Sequence, residues 1–71
     1  MSDLIKPNLH TEPYHPKDCI RIKDRYQAFL YCKHGAKVQD IFVDSDDNLI
    51  MIFRKDETKE LYEKYRKYQL S

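Results

Sequence analysis

The chain has 71 residues, of which 41% are apolar and 35% are charged, and its formal net charge is +1. A chain of this length forms one domain that buries only about 60% of its unfolded surface, and its composition excludes a wholly disordered protein and a bulk polycation. No apolar run approaches the roughly 18 residues that cross a bilayer, and residues 1–7 lack the hydrophobic stretch of a signal peptide, so we expect a cytoplasmic protein.

The N-terminal segment is the least patterned part of the sequence. Residues 1–18 hold all three prolines and show no hydrophobic period, which predicts an extended or disordered arm outside a single α+β domain at residues 19–71. Residues 19–23 alternate apolar with basic side chains, so an extra N-terminal strand would make the predicted two-stranded sheet three-stranded.

A first helix is predicted at about residues 24 to 34, with Asp24 as its N-cap. Gly35, the single glycine of the chain, stands where a helix ends in a residue with positive φ. Apolar side chains at i, i+3 and i+4 spacing place Tyr26 in the core. The members of this stripe are Ile22, Tyr26, Phe29 and Leu30.

Two runs of β-branched or aromatic residues then predict an antiparallel hairpin. The runs are Val38 to Val43 and Leu49 to Phe53, and the acidic segment between them, residues 44–48, favours a reversing turn. Both faces of the second strand are apolar. We expect one face to pack on the helices and the other to meet a second chain or the segment Ile20 to Ile22.

A second helix is predicted from Asp56, with Leu61, Tyr65 and Tyr68 on one stripe and Tyr62 beside it. The order of elements is thus arm, helix, antiparallel β-hairpin and helix. This order predicts the α+β class.

Two groups of polar residues have the composition of a metal site but not its spacing. Asp44, Asp46 and Asn48 alternate as the ligands of a calcium loop do, but Leu49 replaces the required glycine and Lys55 the bidentate glutamate. The zinc-type ligands lack a Cys-x₂-Cys or His-x₃-His pair; they are Cys19, Cys32, His15 and His34. We therefore predict no metal and no cofactor.

The sequence also offers no catalytic constellation. Catalysis needs a positioned nucleophile or acid–base pair in a cleft, whereas the carboxylates of this chain fall mostly on turns and on solvated helix faces. We predict that the protein is not an enzyme.

Tyrosine content favours a protein-binding surface instead. Of the six tyrosines, Tyr14, Tyr31 and Tyr68 need not all fit inside a thin core, and exposed Tyr beside Arg or Lys is typical of binding hot spots. The alternative is that the tyrosines lie half-buried at the edge of the core. Tyr31→Ala and Arg66→Ala are expected to weaken binding while the domain stays folded. The candidate protein-binding residues are Arg25, Tyr31, Asp46, Asp47, Tyr62 and Arg66.

Nucleic-acid binding is the alternative function. Residues 17–37 carry six basic and two acidic residues, a formal charge of +4, whereas residues 38–48 carry four acidic residues. A basic face of this kind tracks phosphates, and its affinity would fall steeply with salt. The candidate residues are Arg21, Lys23, Arg25, Lys33 and Lys37. A third alternative is a structural homodimer in which the doubly apolar hairpin pairs across a two-fold axis.

Three features follow one another over about residues 20 to 68. They are an Ala-Phe-Leu helix ending in glycine within Ile22 to Gly35, a hairpin finishing in an aromatic at Phe53, and an aromatic-bearing C-terminal helix at Leu61 to Tyr65. This arrangement resembles a family of short uncharacterised α+β domains from phage, prophage and mobile elements of bacteria. The resemblance implies a phage-type accessory protein that binds, and thereby inhibits, a protein of the bacterial host or a defence complex in the host cytoplasm.

Overall fold

The computed structural model describes residues 4–71. After a 3₁₀ turn at Pro16–Asp18 come strand β1 (Cys19–Ile22), helix α1 (Arg25–Lys33), strands β2 (Val38–Val43) and β3 (Leu49–Arg54), and helix α2 (Lys55–Arg66). The strands form one antiparallel sheet in the order β1-β3-β2. The predicted α+β class, hairpin and additional N-terminal strand are confirmed.

Helix α1 starts and stops at the two residues that the sequence indicates. Asp24 caps it, since its Oδ1 accepts hydrogen bonds from the backbone N–H groups of Tyr26 (2.8 Å) and Gln27 (3.4 Å). At the other end Gly35 has φ +95°. There the N–H of Ala36 donates to Tyr31 O and the N–H of Gly35 to Cys32 O, which is the Schellman arrangement.

The hairpin turn is organised by Asp44. Its Oδ1 accepts hydrogen bonds from the N–H groups of Asp46 (2.8 Å) and Asn48 (2.9 Å), and these bonds hold the pKa of the Asp44 carboxyl below its usual value. Asp47 takes the left-handed conformation, with φ 62°. The acidic segment is therefore a self-contained turn.

The main core lies between the helices and one face of the sheet. Partly buried residues, among them Met51, Leu61 and Tyr65, pack around a buried cluster. Leu70 reaches it because the chain after α2 returns across the molecule, so that Ser71 O lies 2.9 Å from the His34 Nε2. The buried cluster comprises Ile22, Ala28, Leu30, Tyr31, Ala36, Phe53 and Leu70.

The opposite face of the sheet is covered by the N-terminal segment. Tyr14, only 5% exposed, forms a second buried cluster with Cys19, Ile50 and Ile52, against which Phe42 packs. The expectation that this face meets a second chain or the Ile20 to Ile22 segment is wrong. Those residues extend the sheet edgewise as β1, and the chain's own arm fills the face.

The predicted arm is thus a packed part of the domain, although it is irregular. Its residues 1–3 lie outside the described residues, while Ile5 and Tyr14 exchange both backbone hydrogen bonds in an isolated bridge (2.8 and 3.1 Å). Asp40, in β2, anchors it: its carboxylate accepts hydrogen bonds from Tyr14 Oη (2.6 Å) and from the Asn8 N–H (2.8 Å). The sequence of the arm has no hydrophobic period because the arm is held by one buried aromatic residue, Tyr14, and one buried carboxylate, Asp40. Periodicity therefore could not predict its packing.

Neither α1 nor α2 is long and apolar enough to cross a membrane, which holds for the whole of residues 4–71.

The Asp40 contact predicts acid-sensitive stability. Burial opposes ionisation of this carboxyl, but hydrogen bonds from Tyr14, Asn8 and the Ile41 N–H outweigh burial and lower its pKa. Because the pKa of Asp40 is lower in the folded than in the unfolded state, its ionised carboxyl stabilises the fold at pH values above the unfolded-state pKa, about 3.9. This stabilisation is lost as the pH falls from there through the folded-state pKa.

We therefore expect Asp40→Asn to lower the free energy of unfolding by about 1–3 kcal/mol at pH 7, and by progressively less as pH falls below about 4. Urea titrations between pH 2.5 and 7 measure both effects. Asp46→Asn, in the exposed turn, is the control and should change stability by less than about 0.5 kcal/mol. A pH-independent difference between the wild type and Asp40→Asn would contradict the assignment.

Candidate functional site

Four large aromatic side chains are exposed on the helical layer of the domain. Tyr26 and Phe29 of α1 are 60% and 58% exposed, Tyr62 of α2 is 44% exposed, and Tyr68, just beyond α2, is 97% exposed. The rings of Tyr26 and Phe29 stack with 6.4 Å between their centroids. Large apolar side chains exposed on one layer mark a candidate interaction surface.

The rotation of α1 explains why Tyr26 and Phe29 face outward. Ala28, Leu30 and Tyr31 are its buried residues. At about 100° per residue, Tyr26 and Phe29 lie about 140° and 160° around the helix axis from Tyr31. The prediction that Tyr26 lies in the core is therefore wrong, because the helix buries the opposite side, which carries Tyr31.

Tyr31 occupies the centre of the core instead of the surface. It is 0% exposed, and its ring meets Phe53 and Tyr65 edge-on, with centroid separations of 5.6 and 6.4 Å. Its hydroxyl accepts a hydrogen bond from Gln27 Nε2 at 2.9 Å. The assignment of Tyr31 to a binding surface is wrong, since a partner cannot reach this side chain.

The exposed tyrosines border a groove of about 610 Å³ between α1, α2 and the segment that follows α2. We call it the aromatic groove; it is lined by Tyr26, Gln27, Leu30, Tyr62, Tyr65, Arg66, Tyr68 and Leu70. Two predicted binding residues, Tyr62 and Arg66, meet here. Arg25 is exposed directly before Tyr26 in the sequence.

Tyr65 links the two helices at the base of the aromatic groove. Its hydroxyl donates to Asp24 Oδ2 at 3.2 Å, so the carboxylate that caps α1 also holds the last turn of α2. Desolvation and the neighbouring Asp24 charge raise the pKa of Tyr65. This phenol therefore stays a neutral hydrogen-bond donor.

Tyr68 holds a backbone conformation that favours glycine. It follows α2 at φ 58°, the N–H of Gln69 donates to Lys64 O (2.8 Å), and its own N–H donates to Tyr65 O (3.1 Å). This is the Schellman arrangement of α1 repeated, with tyrosine at the position that Gly35 occupies there. The predicted placement of Tyr68 on the helical stripe is wrong, because α2 ends at Arg66.

Asp46 and Asp47 do not join the aromatic groove. Both are exposed in the hairpin turn, between β2 and β3, where Asp46 N–H and the left-handed Asp47 shape the turn itself. They remain candidates for a separate contact at that end of the sheet.

The proposed basic residues are dispersed. Arg21 lies over the Phe42 ring on the arm side of the sheet, with its guanidinium carbon 5.5 Å from the ring centroid. Lys23 follows β1 near the hairpin turn, where its charge helps to lower the pKa of Asp44. The remaining three lie at the two ends of α1. Arg25 is its first residue, Lys33 is its last, and Lys37 lies beyond it. They do not form one continuous face.

Within residues 4–71, no three His, Cys, Asp or Glu side chains come close enough to hold a metal ion. Cys19 is buried, Cys32 is exposed, and both are free. Desolvation raises the pKa of each thiol, which disfavours the reactive thiolate.

No family model, curated protein or solved structure matches this chain significantly. The function is therefore proposed from the residues of the domain themselves.

Sequence reasoning missed the exposure of Phe29, the burial of Tyr14, the left-handed backbone of Tyr68 and the role of Asp40 as an anchor. The signal for Phe29 was Ala28, whose small side chain suits the tightly packed stripe that includes Tyr31. No local signal marked Tyr68, because the left-handed position at the end of a helix is usually occupied by glycine or asparagine. A lone aspartate within the apolar-rich strand β2 was the signal for Asp40.

The position of Tyr31 predicts a large effect on folding. Tyr31→Ala should lower the free energy of unfolding by about 3–5 kcal/mol, because it leaves a cavity between the sheet and both helices. Tyr31→Phe removes only the hydroxyl and should cost about 1 kcal/mol. Urea denaturation followed by circular dichroism measures both, and a Tyr31→Ala variant of wild-type stability would contradict the buried placement.

The left-handed backbone of Tyr68 predicts that the protein is more stable with glycine at this position than with alanine. Tyr68→Gly and Tyr68→Ala both remove the exposed ring, but only glycine relieves the left-handed backbone. We expect Tyr68→Gly to unfold with a free energy about 1 kcal/mol higher than Tyr68→Ala. Equal stability of the two variants in thermal or urea unfolding would show that the backbone at this residue is not left-handed.

Proposed function

We propose that this chain acts without catalysis, by binding another protein stoichiometrically through the aromatic groove. The observation that carries the proposal is the exposure of Tyr26, Tyr62 and Tyr68 around one groove, with Phe29 stacked on Tyr26. Tyrosine supplies a large apolar ring and a hydroxyl at low entropic cost, which is why it is enriched in protein interfaces.

The packing of the domain supports this proposal because the core does not need these rings. Tyr31, Phe53 and Leu30 already fill the space between the sheet and the helices and are all less than 3% exposed. Aromatic side chains left outside a filled core gain stabilisation only when another surface covers them. A partner that covered the aromatic groove would therefore bury apolar surface that the domain itself leaves exposed.

Charge indicates the chemistry of that partner. Arg66 lines the aromatic groove, Arg25 is next to Tyr26, and Lys67 follows α2. The groove therefore suits an apolar surface that carries carboxylates, which Arg66 would bind with a bidentate hydrogen-bonded pair. The further hypothesis, that this partner belongs to a bacterial host or defence complex, rests on the family resemblance and stays a proposal.

The two alternatives receive less support. The basic residues of the nucleic-acid hypothesis are spread over the arm side of the sheet and both ends of α1. The homodimer hypothesis needs an uncovered apolar hairpin face, whereas Tyr14 packs with Ile50 and Ile52 there.

The proposal predicts which substitutions abolish binding. Tyr26→Ala and Tyr62→Ala should each weaken the affinity for the partner by about tenfold or more, since truncating a hot-spot tyrosine costs about 2 kcal/mol or more and tenfold corresponds to about 1.4 kcal/mol. Leu9→Ala is the control, because Leu9 is a partly exposed apolar residue on the arm, outside the aromatic groove. All three variants should keep the wild-type circular dichroism spectrum.

The partner is first captured from a nuclease-treated bacterial lysate by the tagged wild-type chain, and its affinity for each variant is then measured by calorimetry. A protein that binds the wild type and Leu9→Ala but not the tyrosine variants would support the proposal. Equal affinity for all variants would exclude the aromatic groove. Retention that disappears with nuclease would favour the nucleic-acid alternative, and a concentration-dependent dimer in light scattering would favour self-association.

A further inference from the structure

The aromatic groove offers tyrosine rings rather than aliphatic side chains to a ligand. Its two leucines, Leu30 and Leu70, are only 2% and 8% exposed and belong to the main core. The accessible rings are those of Tyr26, Tyr62 and Tyr68. An amphipathic helix lays its apolar face into a continuous hydrophobic groove. The accessible lining here is instead a set of aromatic rings with polar ends.

The three exposed rings carry hydroxyl groups that are free to donate a hydrogen bond. Within residues 4–71, the hydroxyls of Tyr26, Tyr62 and Tyr68 have no hydrogen-bond partner in the protein. Tyr65 differs, because its hydroxyl donates to Asp24 Oδ2 at the base of the groove. A ligand that brings unpaired backbone carbonyl groups would therefore find donors on the same rings that its side chains contact.

A proline-rich segment has the backbone that these donors require. Helices and sheets pair their carbonyl groups internally, whereas a polyproline II helix has no internal hydrogen bonds and leaves its carbonyl groups free. Proline also lacks an N–H group, so the segment brings acceptors without donors that need partners of their own. Proline-rich segments dock in aromatic-lined grooves, and little conformational entropy is lost because the helix is already formed.

Charge indicates an acidic residue in the same ligand. Arg66 is the one charged residue that lines the groove within residues 4–71, and in that part of the chain it forms no ion pair. The Asp24 carboxylate lies at the base, but it already accepts hydrogen bonds from the Tyr65 hydroxyl and from the N–H groups of Tyr26 and Gln27. The Arg66 guanidinium is therefore available to a carboxylate of the ligand, which it can bind through two parallel hydrogen bonds.

We propose that the aromatic groove binds a proline-rich segment in the polyproline II conformation, with an acidic residue next to its prolines. The proline rings pack on Tyr26, Tyr62 and Tyr68, and the carbonyl groups between them accept hydrogen bonds from the free hydroxyls. The acidic residue pairs with Arg66. This inference rests on the proposed function, because it names the class of partner for the same groove.

The probe is a capped peptide of eight prolines with an aspartate at each end. It is titrated into the isotope-labelled full chain, and the amide shifts are followed by NMR. We expect saturable binding, with shift changes at the start of α1 and at the end of α2. Tyr62→Phe keeps the ring and removes only the free hydroxyl, and it should weaken the affinity by about threefold or more.

A matched pair of variants tests the contribution of charge. Arg66→Gln should weaken the affinity by about fivefold or more, because the aspartate of the peptide loses its bidentate partner. Lys64→Gln removes the same charge from the same helix, but Lys64 does not line the groove. This control should change the affinity by less than about twofold.

Three control peptides separate recognition of polyproline II from attraction to any apolar or acidic peptide. The all-D form of the probe has the same composition and charge but the opposite hand, and it should bind at least about tenfold more weakly. A proline peptide with lysine at both ends should also bind more weakly, because Arg66 repels it. An amphipathic helical peptide of leucine and glutamate should bind more weakly than the probe.

Absence of saturable binding, equal binding of the all-D peptide, or tighter binding of the helical peptide would overturn the proposal. So would equal effects of Arg66→Gln and Lys64→Gln. None of these results decides whether a captured partner protein depends on Tyr26 and Tyr62. If that dependence is found while the proline peptide fails to bind, the proposed function stands and only the class of ligand is wrong.

Discussion

The burial of Tyr31 is the constraint on which the rest of the structure depends. Its ring lies edge-on to Phe53 of β3 and to Tyr65 of α2, so one side chain of α1 joins the sheet to both helices. Because α1 is only nine residues long, the orientation of this single ring determines which side chains of the helix face outward. Tyr26 and Phe29 are exposed for that reason, and the aromatic groove is a consequence of how the core is filled.

Elements that depend on local signals were predictable from the sequence, whereas the rotation of α1 was not. Asp24 and Gly35 mark the ends of α1 through the chemistry of caps, and the acidic segment between β2 and β3 marks the hairpin turn. The aromatic residues lie on both faces of α1, so periodicity could not tell which stripe is buried. That choice depends on Phe53 and Tyr65, which lie 22 and 34 residues beyond Tyr31 in the sequence. The same limit explains the candidate site: Tyr62 and Arg66 lie on the exposed side of α2, but Tyr31 was placed on the wrong side of α1.

The N-terminal arm shows a second limit of sequence patterns. Tyr14 and Asp40 are 26 residues apart, and each alone reads as an ordinary polar residue. Together they bury a charge-assisted hydrogen bond under the arm, and burial together with the Asp40 carboxylate raises the pKa of the Tyr14 phenol well above its usual value. The arm thereby closes one face and one edge of a sheet that has only three strands. The large exposed aromatic side chains lie instead on the helical layer, away from the arm.

Tyr68 is a residue that the fold does not need for its stability. Gly35 and Tyr68 occupy the same position in two Schellman turns, yet only the first is a residue for which the left-handed conformation costs little. The side chain of Tyr68 adds no packing to the core, because it is 97% exposed. A bulky aromatic held in a costly conformation beside a groove of other exposed tyrosines stabilises the protein only when a further surface covers it. Backbone strain at an exposed aromatic residue is an observation that motivates the binding role proposed for the aromatic groove.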